Sequence, residues 1–463
     1  FVFAGLSPFT QDGELTGSRN EFIQWIQDVP DQRGIVRGYM KYDNELRTGR
    51  NVKQIVSRAM QIAHSEPRGP VYLVGAREVM EEETGPAAID RRRWTPIAPQ
   101  ALSADAVEEI LAALAGARRP LVVTSYLGRN PEAVGHLIEF CHALGIGVLE
   151  SVPATLNYPH DDALYQGSQW NHPFQNAALA EADVVLVIDS DVPWIPTVSR
   201  PSAAAAIYHI DIDPLKAAMP LWYIEAHRSF QADAALALRQ LNAALAARPP
   251  AAAAVAARSE HYRARHAERA AQLAREAEPD AAVITPEYLT ACVRRQIAPD
   301  AIVLNEGITS YPAVCDHIAP TRPGGFFASG GGSLGWNGGA AIGARLAAPD
   351  REVVALTGDG SYMFSVPSTV HWMARQYGTP FLQVVYNNRG WKAPKFSALA
   401  VHPDGYASRA NGIDVAFDPP PDYAGIAAAA VGAVAPTIKR TDEVDAAVSA
   451  AVHAVRVEEG AAV

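Results

Sequence analysis

The sequence predicts an α/β protein of several doubly wound, parallel-sheet domains. Three observations carry this. Short apolar, β-branched runs such as VVLVI (184–188) and EVVAL (352–356) alternate with helical periodicity along most of the chain. Continuous apolar runs, as opposed to alternating ones, mark strands covered on both faces. At 463 residues, the chain is also too long for a single core.

Composition narrows the class of function. Thirty-nine basic against 50 acidic residues give a formal charge of −11, which argues against a nucleic-acid binder. The three cysteines, Cys141, Cys292 and Cys315, lack metal-ligand spacing, which predicts a reducing, cytoplasmic setting. No apolar run reaches the length of a membrane span; the nearest, Ala424 to Ala435, reads as an Ala-rich helix. The chain opens Phe1-Val2-Phe3-Ala4-Gly5, with no targeting signal or initiator Met, so the expectation is a start inside a domain.

In order, residues 1–82 read as a strand running into a turn at Gly5, an amphipathic segment, a helix near Val52 to His64 and a strand from Pro70 to Gly75. Residues 83–98 are a charged, Gly-Pro-containing linker. Residues 99–248 alternate helix and strand: helices Ala104 to Leu114, Glu132 to Leu144 and Asn176 to Ala180, with strands Pro120 to Thr124, Gly147 to Glu150, Val184 to Ile188 and Ile207 to Ile212. His160, Asp161, Asp162 and His172 read as a polar loop, since no regular spacing gathers them into a ligand set. Cys141 and His142 are neighbours on one predicted helix and face different ways, which excludes a dyad. Residues 249–280 are a helical connector whose charges form a solvated face. The last unit, 281–463, opens with a helix from Pro286 to Gln296 and a strand from Ala301 to Leu304 that ends at Asn305-Glu306-Gly307.

The chemistry concentrates in that last unit. The EVVAL strand stops at Thr357-Gly358-Asp359-Gly360-Ser361. Ser365 and Ser368 offer caps and Pro367 a first turn to a helix running up to Gly378, and FLQVVY (381–386) leads into Asn387-Asn388-Arg389-Gly390-Trp391. A strand–helix–strand crossover is almost always parallel, which brings both polar turns to one sheet edge. One Asp, one Asn and a backbone carbonyl match the hard-oxygen demand of Mg²⁺, while the glycines and the helix start leave N–H groups near a diphosphate. After Trp391, a Pro- and Gly-containing loop carries Lys392, Lys395 and His402. Residues 422–456 read as two helices and a short strand.

The Gly-Asp-Gly…Asn-Asn pattern resembles that of the thiamine diphosphate enzymes, in particular the acetolactate synthase and benzoylformate decarboxylase group, with the amino-terminal part missing. The resemblance implies a truncated pyrimidine-binding domain over 1–82, a central domain over 99–248 and a diphosphate- and Mg²⁺-binding domain over 281–463. It implies Asp359, Asn388 and the Gly390 carbonyl as metal ligands. Gln27, Glu306, Gly332, Ser333, Leu334, Gly358, Gly360, Ser361, Asn388 and Trp391 are implied as cofactor contacts, with Leu334 as the bulky prop that bends the cofactor into a V. The family's activating glutamate lies upstream of the match and is therefore expected before Phe1; Glu14, Glu21 and Glu45 do not follow its motif and read as solvated carboxylates. FAD, often carried by the central domain in acetolactate synthases, is doubtful, because Asp189 to Pro196 departs from the Arg-bearing version.

The implied activity is decarboxylation of a 2-oxo acid, followed by protonation to an aldehyde or ligation to a second carbonyl. Family members act as homodimers or as dimers of dimers, hence homotetramers. Two alternatives stand beside this reading. One is a 2-hydroxyacyl-CoA lyase or oxalyl-CoA decarboxylase type of enzyme, for which a CoA-binding basic groove would be the discriminator. No clear one is present, Arg389, Lys392 and Lys395 reading equally as carboxylate or phosphate contacts and as solvated loop cations. The other is a noncatalytic cofactor-binding subunit.

Overall fold

The computed structural model describes residues 1–457 apart from 91, 171, 223 and 411–414. The chain divides into two compact units, residues 1–101 and 102–463. All the sheets are parallel, as the buried apolar runs predict.

In the first unit β1 (Val2–Leu6), β2 (Tyr42–Leu46) and β3 (Val71–Ala76) pair in the order β1-β3-β2. The helix Val52–His64 lays Ile55, Val56, Ala59, Ile62 and Ala63 over Val71 and Leu73. Phe1 is exposed and leads directly into β1. β1 does not turn at Gly5: pairing with β3 carries it through Gly5↔Gly75 to Leu6↔Ala76. β2 escaped sequence reading because YDNEL is mostly polar, and parallel pairing with β3 is what makes it a strand.

The second unit holds two sheets. β4 (Pro120–Thr124), β5 (Gly147–Ser151), β6 (Tyr165–Gln169), β7 (Val184–Ile188), β8 (Ala206–Asp211) and β9 (Arg228–Gln231) form one, ordered β6-β5-β4-β7-β8-β9. Its core joins Val122, Leu149, Leu186 and Ile210 to Leu137, Phe140 and Leu241 of the covering helices. Local sequence sets the helix ends: Asn130 accepts from the Glu132 N–H, Pro131 opens the helix Pro131–Leu144, and Gly145 closes it in the left-handed region. The connector is the helix Ala252–Glu276, and not all of its charges are solvated. Arg258 is buried and donates to the Leu114 carbonyl (2.8 Å), while Tyr262 Oη donates to Pro120 O (2.7 Å). One arginine therefore caps a neighbouring helix end, a role invisible to charge counting.

β10 (Ile302–Glu306), β11 (Phe326–Ala328), β12 (Val353–Gly358) and β13 (Leu382–Tyr386) form the other sheet, ordered β11-β10-β12-β13. Apolar layers cover both of its faces. Three expectations change here. The crossover helix starts at once, as Asp359–Phe364, and resumes as Pro367–Gln376, because Pro367 has no N–H to continue the ladder and Val366 between them takes φ +55°. The segment after Trp391 is the helix Lys392–Val401; Pro394 sits in its first turn, where proline is tolerated. Past residue 422, the helices Tyr423–Val431 and Val444–Val457 form, but no strand appears among the described residues. None of the helices among the described residues is long and apolar enough to cross a membrane.

Candidate functional site

β10, β12 and β13 end side by side. Glu306 is in register with Thr357, and Gly358 with Tyr386, so Asn305-Glu306-Gly307, Gly358-Asp359-Gly360 and Asn387-Asn388 share the carboxyl edge of the sheet. In open α/β sheets that edge is where ligands bind.

Asp359 is 1% exposed. Its Oδ1 accepts the Gly360 N–H and its Oδ2 the Gly390 N–H, both at 2.9 Å, so the carboxylate ties the two turns together. Burial pushes its carboxyl above the usual range, against those backbone donors. Among the described residues it has no ion-pair partner. A buried carboxylate without a counter-charge is costly unless a cation completes it.

Asn388 donates through Nδ2 to Thr309 Oγ1 (3.2 Å), and its amide oxygen has no protein partner among the described residues. Asn387 Oδ1 accepts the Arg389 N–H (3.0 Å) and so braces the turn. The Gly390 carbonyl accepts the Lys392 N–H (3.0 Å), leaving it one lone pair. Carboxylate, amide oxygen and carbonyl form a hard-oxygen set that fits Mg²⁺ with water and phosphate completing the shell.

Two glycines are required by shape. Gly390 has φ +145°, pairs with Ala416, and a Cβ there would run into the Val415 carbonyl. A Cβ on Gly360 would lie 2.6 Å from the Trp391 ring. That ring packs edge-on against Phe417 (5.4 Å) and Phe364 (6.3 Å), fixing the wall of the turn.

The Gly-rich segment is brought to the same edge. Glu306, fully buried, accepts the N–H groups of Gly335 and Asn337 (the latter at 2.8 Å) and bonds the Ser361 side chain. Burial raises its carboxyl against those donors. Leu334 is half-buried, whereas Gly332 and Ser333 are exposed; Ser333 N–H donates to Ser329 Oγ (3.1 Å). Arg389 is exposed, with φ +63°.

The remaining predicted positions belong to the first unit. Gln27 is exposed at the end of the helix Ile23–Ile26, beside the Arg19–Asp28 ion pair (2.5 Å). Of the glutamates set aside, Glu14 and Glu21 are exposed, and Glu14 accepts the Gln11 and Asp12 N–H groups of its own turn (2.9 and 2.7 Å). Glu45 is not fully solvated: it is half-buried on β2 and faces Arg47 at 3.7 Å.

Sequence reasoning missed several supports. Thr309 follows Glu306 by three residues, and its place just past a strand end was the available signal. Tyr362 Oη meets His371 Nε2 (3.0 Å) beneath the turn, and burial pushes His371 down to about 4, so it is neutral at physiological pH. His160 lies in a loop, as read, but is buried there, stacked on Tyr165 and bonded to Glu150 (2.9 Å), while Asp162 bonds His142 (2.7 Å). Only the fold brings Glu150 to His160.

A parallel α/β fold with three polar strand ends meeting at one carboxyl edge defines a class of ligand-binding proteins, and comparison with known proteins makes it specific. Residues 107–241 match the thiamine pyrophosphate enzyme central domain, and residues 307–461 the C-terminal TPP binding domain. The chain belongs to the thiamine pyrophosphate enzymes. It is 26% identical to benzoylformate decarboxylase of Pseudomonas aeruginosa, over 81% of this chain and 67% of that protein. It is 28% identical to the acetolactate synthase isozyme 1 large subunit of Escherichia coli, over 74% of this chain and 59% of that one. The curated relatives are thus longer than this chain. In fold it is similar to benzoylformate decarboxylase from Polynucleobacter necessarius (TM-score 0.73, 19% identity, 91% of this chain and 75% of that one). It is likewise similar to the thiamine diphosphate-dependent 4-hydroxybenzoylformate decarboxylase of Rhodococcus jostii RHA1 (TM-score 0.68, 19% identity, 91% of this chain and 75% of that one).

Proposed function

We propose that this chain is part of a thiamine diphosphate- and Mg²⁺-dependent 2-oxo acid decarboxylase or carboligase, a lyase or transferase acting on C–C bonds. The observation that carries the reading is the buried Asp359 carboxylate, without a counter-charge, bonded to both the Gly360 and the Gly390 N–H groups. In this reading Asp359, Asn388 and the Gly390 carbonyl hold Mg²⁺ against the cofactor diphosphate. Gly358, Gly360 and Ser361 line the diphosphate, with Trp391 as a wall. Gly332, Ser333 and Leu334 would flank the thiazolium end of the cofactor, with Leu334 as its apolar support.

Bound thiamine diphosphate supplies the carbon nucleophile and electron sink for cleaving the bond between the carboxylate and C2 of a 2-oxo acid. Glu306 positions: with the Gly335 and Asn337 N–H groups and Ser361 engaged, it holds the Gly-rich segment against the metal turn. The three-domain division set out from sequence, with Gln27 in a pyrimidine-binding domain, belongs to this reading. A homodimer or dimer of dimers in the cytoplasm is the expected assembly.

FAD does not belong to this reading. At the carboxyl edge of the six-stranded sheet Arg129 pairs with Asp189 (3.1 Å) and Lys216 with Asp191 and Asp211 (2.7 and 3.0 Å), so both basic groups are already engaged by the protein's own carboxyl groups.

The test is the thermal midpoint of the protein with thiamine diphosphate and Mg²⁺, each alone and together. A rise that needs both and vanishes in Asp359→Ala supports the reading. A rise that survives the substitution removes the metal clamp.

A further inference from the structure

The connection between β5 and β6, residues 152–164, is a strap with its own anchor. Glu150, at the end of β5 and fully buried, receives four hydrogen bonds. Oε1 accepts from Asn157 N (2.8 Å) and Asn157 Nδ2 (3.0 Å), and Oε2 accepts from His160 Nε2 (2.9 Å) and Tyr165 Oη (3.1 Å). Asn157, also fully buried, donates further to Ser125 O (3.0 Å) and accepts the Gly128 N–H (2.9 Å), which pins the strap to the end of β4.

The other side of the strap grips the second sheet. Ala154 O accepts the Ala328 N–H (2.9 Å), Thr155 bridges Phe327 in antiparallel sense, and His160 N–H donates to Pro320 O (3.0 Å). Leu156, 1% exposed, is inserted into the core of the four-stranded sheet. β11 ends at Ala328, and the Gly-rich segment starts at the next residue. That segment therefore hangs between two buried carboxylates. Glu306 holds its far end directly through the Gly335 and Asn337 N–H groups, and Glu150 fixes its near end through the strap.

Glu150, His160 and Cys315 offer ligand atoms within 4.8 Å of one another, which raises a metal centre as the rival explanation. The donor chemistry opposes it. Four hydrogen-bond donors already occupy both Glu150 oxygens. Burial also holds the Cys315 thiol well above its ordinary value, which disfavours the thiolate.

We propose that Glu150 and Asn157 are positioning residues that set the Gly-rich segment, from Ser329 to Gly335, from the neighbouring sheet. The consequence for cofactor affinity rests on the function proposed above; the coupling itself does not. A buried polar network couples its members, so loss of one loosens what the others hold.

The experiment compares wild type, Glu150→Gln, Leu156→Ala and Tyr262→Phe in the full chain. Glu150→Gln sets an amide N–H against donors. Leu156→Ala releases the strap at its other end. Tyr262→Phe removes a buried hydrogen bond to Pro120, at the opposite end of β4 from the strap, and serves as the control for general destabilisation. Expected is faster ligand-free amide hydrogen exchange over 327–335 in the first two variants, with apparent thiamine diphosphate affinity in Mg²⁺ lowered about three- to tenfold. Tyr262→Phe should match wild type in both readouts. Wild-type exchange over 327–335 in Glu150→Gln overturns the proposal. If that variant fails to fold, unchanged exchange in Leu156→Ala overturns it equally. A wild type without any cofactor-dependent shift removes the proposed function instead, and the exchange comparison still decides the coupling.

Discussion

Replacing Asp359 by alanine has two separable effects. In the ligand-free protein the Gly360 and Gly390 N–H groups lose their acceptor, at about 1–3 kcal/mol for each donor left buried and unpaired. Loss of a buried carboxylate without a counter-charge offsets part of this. In the presence of ligand the effect is larger in kind. Saturation at about 100 times the dissociation constant stabilises a native state by about 2.7 kcal/mol. Residues 102–463 form one compact unit, and at ~2.1 cal/mol/K per residue its unfolding entropy makes that increment worth about 3–4 °C. The assay is a calorimetric or fluorescence melt of each variant, with and without thiamine diphosphate plus Mg²⁺. The increment is read within a variant, so a changed ligand-free midpoint does not confuse it. Wild type should gain the full increment, and Asp359→Ala and Asp359→Asn none. An undiminished increment in Asp359→Ala, or one in wild type indifferent to chelation of Mg²⁺, would refute the clamp.

Other expectations are smaller in scope. Gly360→Ala places a Cβ against the Trp391 ring and should destabilise by about 1–3 kcal/mol while weakening cofactor binding; an unchanged melt and affinity would mean the ring moves freely. Lys216→Met leaves the buried Asp211 without its cation and should cost about 3 kcal/mol in urea unfolding, a loss that a double variant with Asp211→Asn should partly restore. Burial outweighs Arg129 and pushes the Asp189 carboxyl up to about 7, above its ordinary 3.8. The folded state therefore holds this proton more tightly than the unfolded one, and the contribution, complete below about 4, is lost as pH rises towards 7. Asp189→Asn should flatten the fall of the urea midpoint between pH 5 and pH 8; the same slope in both proteins would contradict the assignment.

Much was legible in the sequence because it is local. The strands Val184–Ile188 and Pro120–Thr124 are continuous apolar runs, and the helices Val52–His64 and Pro286–Gln296 carry helical periodicity, the latter opened by Pro286. The Gly-Asp-Gly and Asn-Asn turns were legible because a parallel crossover leaves them no other edge to occupy. Where the local signal was ambiguous, tertiary packing decided. Tyr42–Leu46 and Arg228–Gln231 are strands because β3 and β8 pair with them, and Lys392–Val401 is helical despite its proline.

The parallel α/β class and the residue types of the Gly-Asp-Gly and Asn-Asn turns follow from spacing along the chain, which local sequence carries. Which groups support those turns follows from packing. Thr309 reaches Asn388 across 79 residues, and Glu306 reaches Gly335 and Asn337 across about 30. The Glu150 strap depends on two sheets meeting. Contacts of this kind follow from how layers pack, and no periodicity in the chain encodes them.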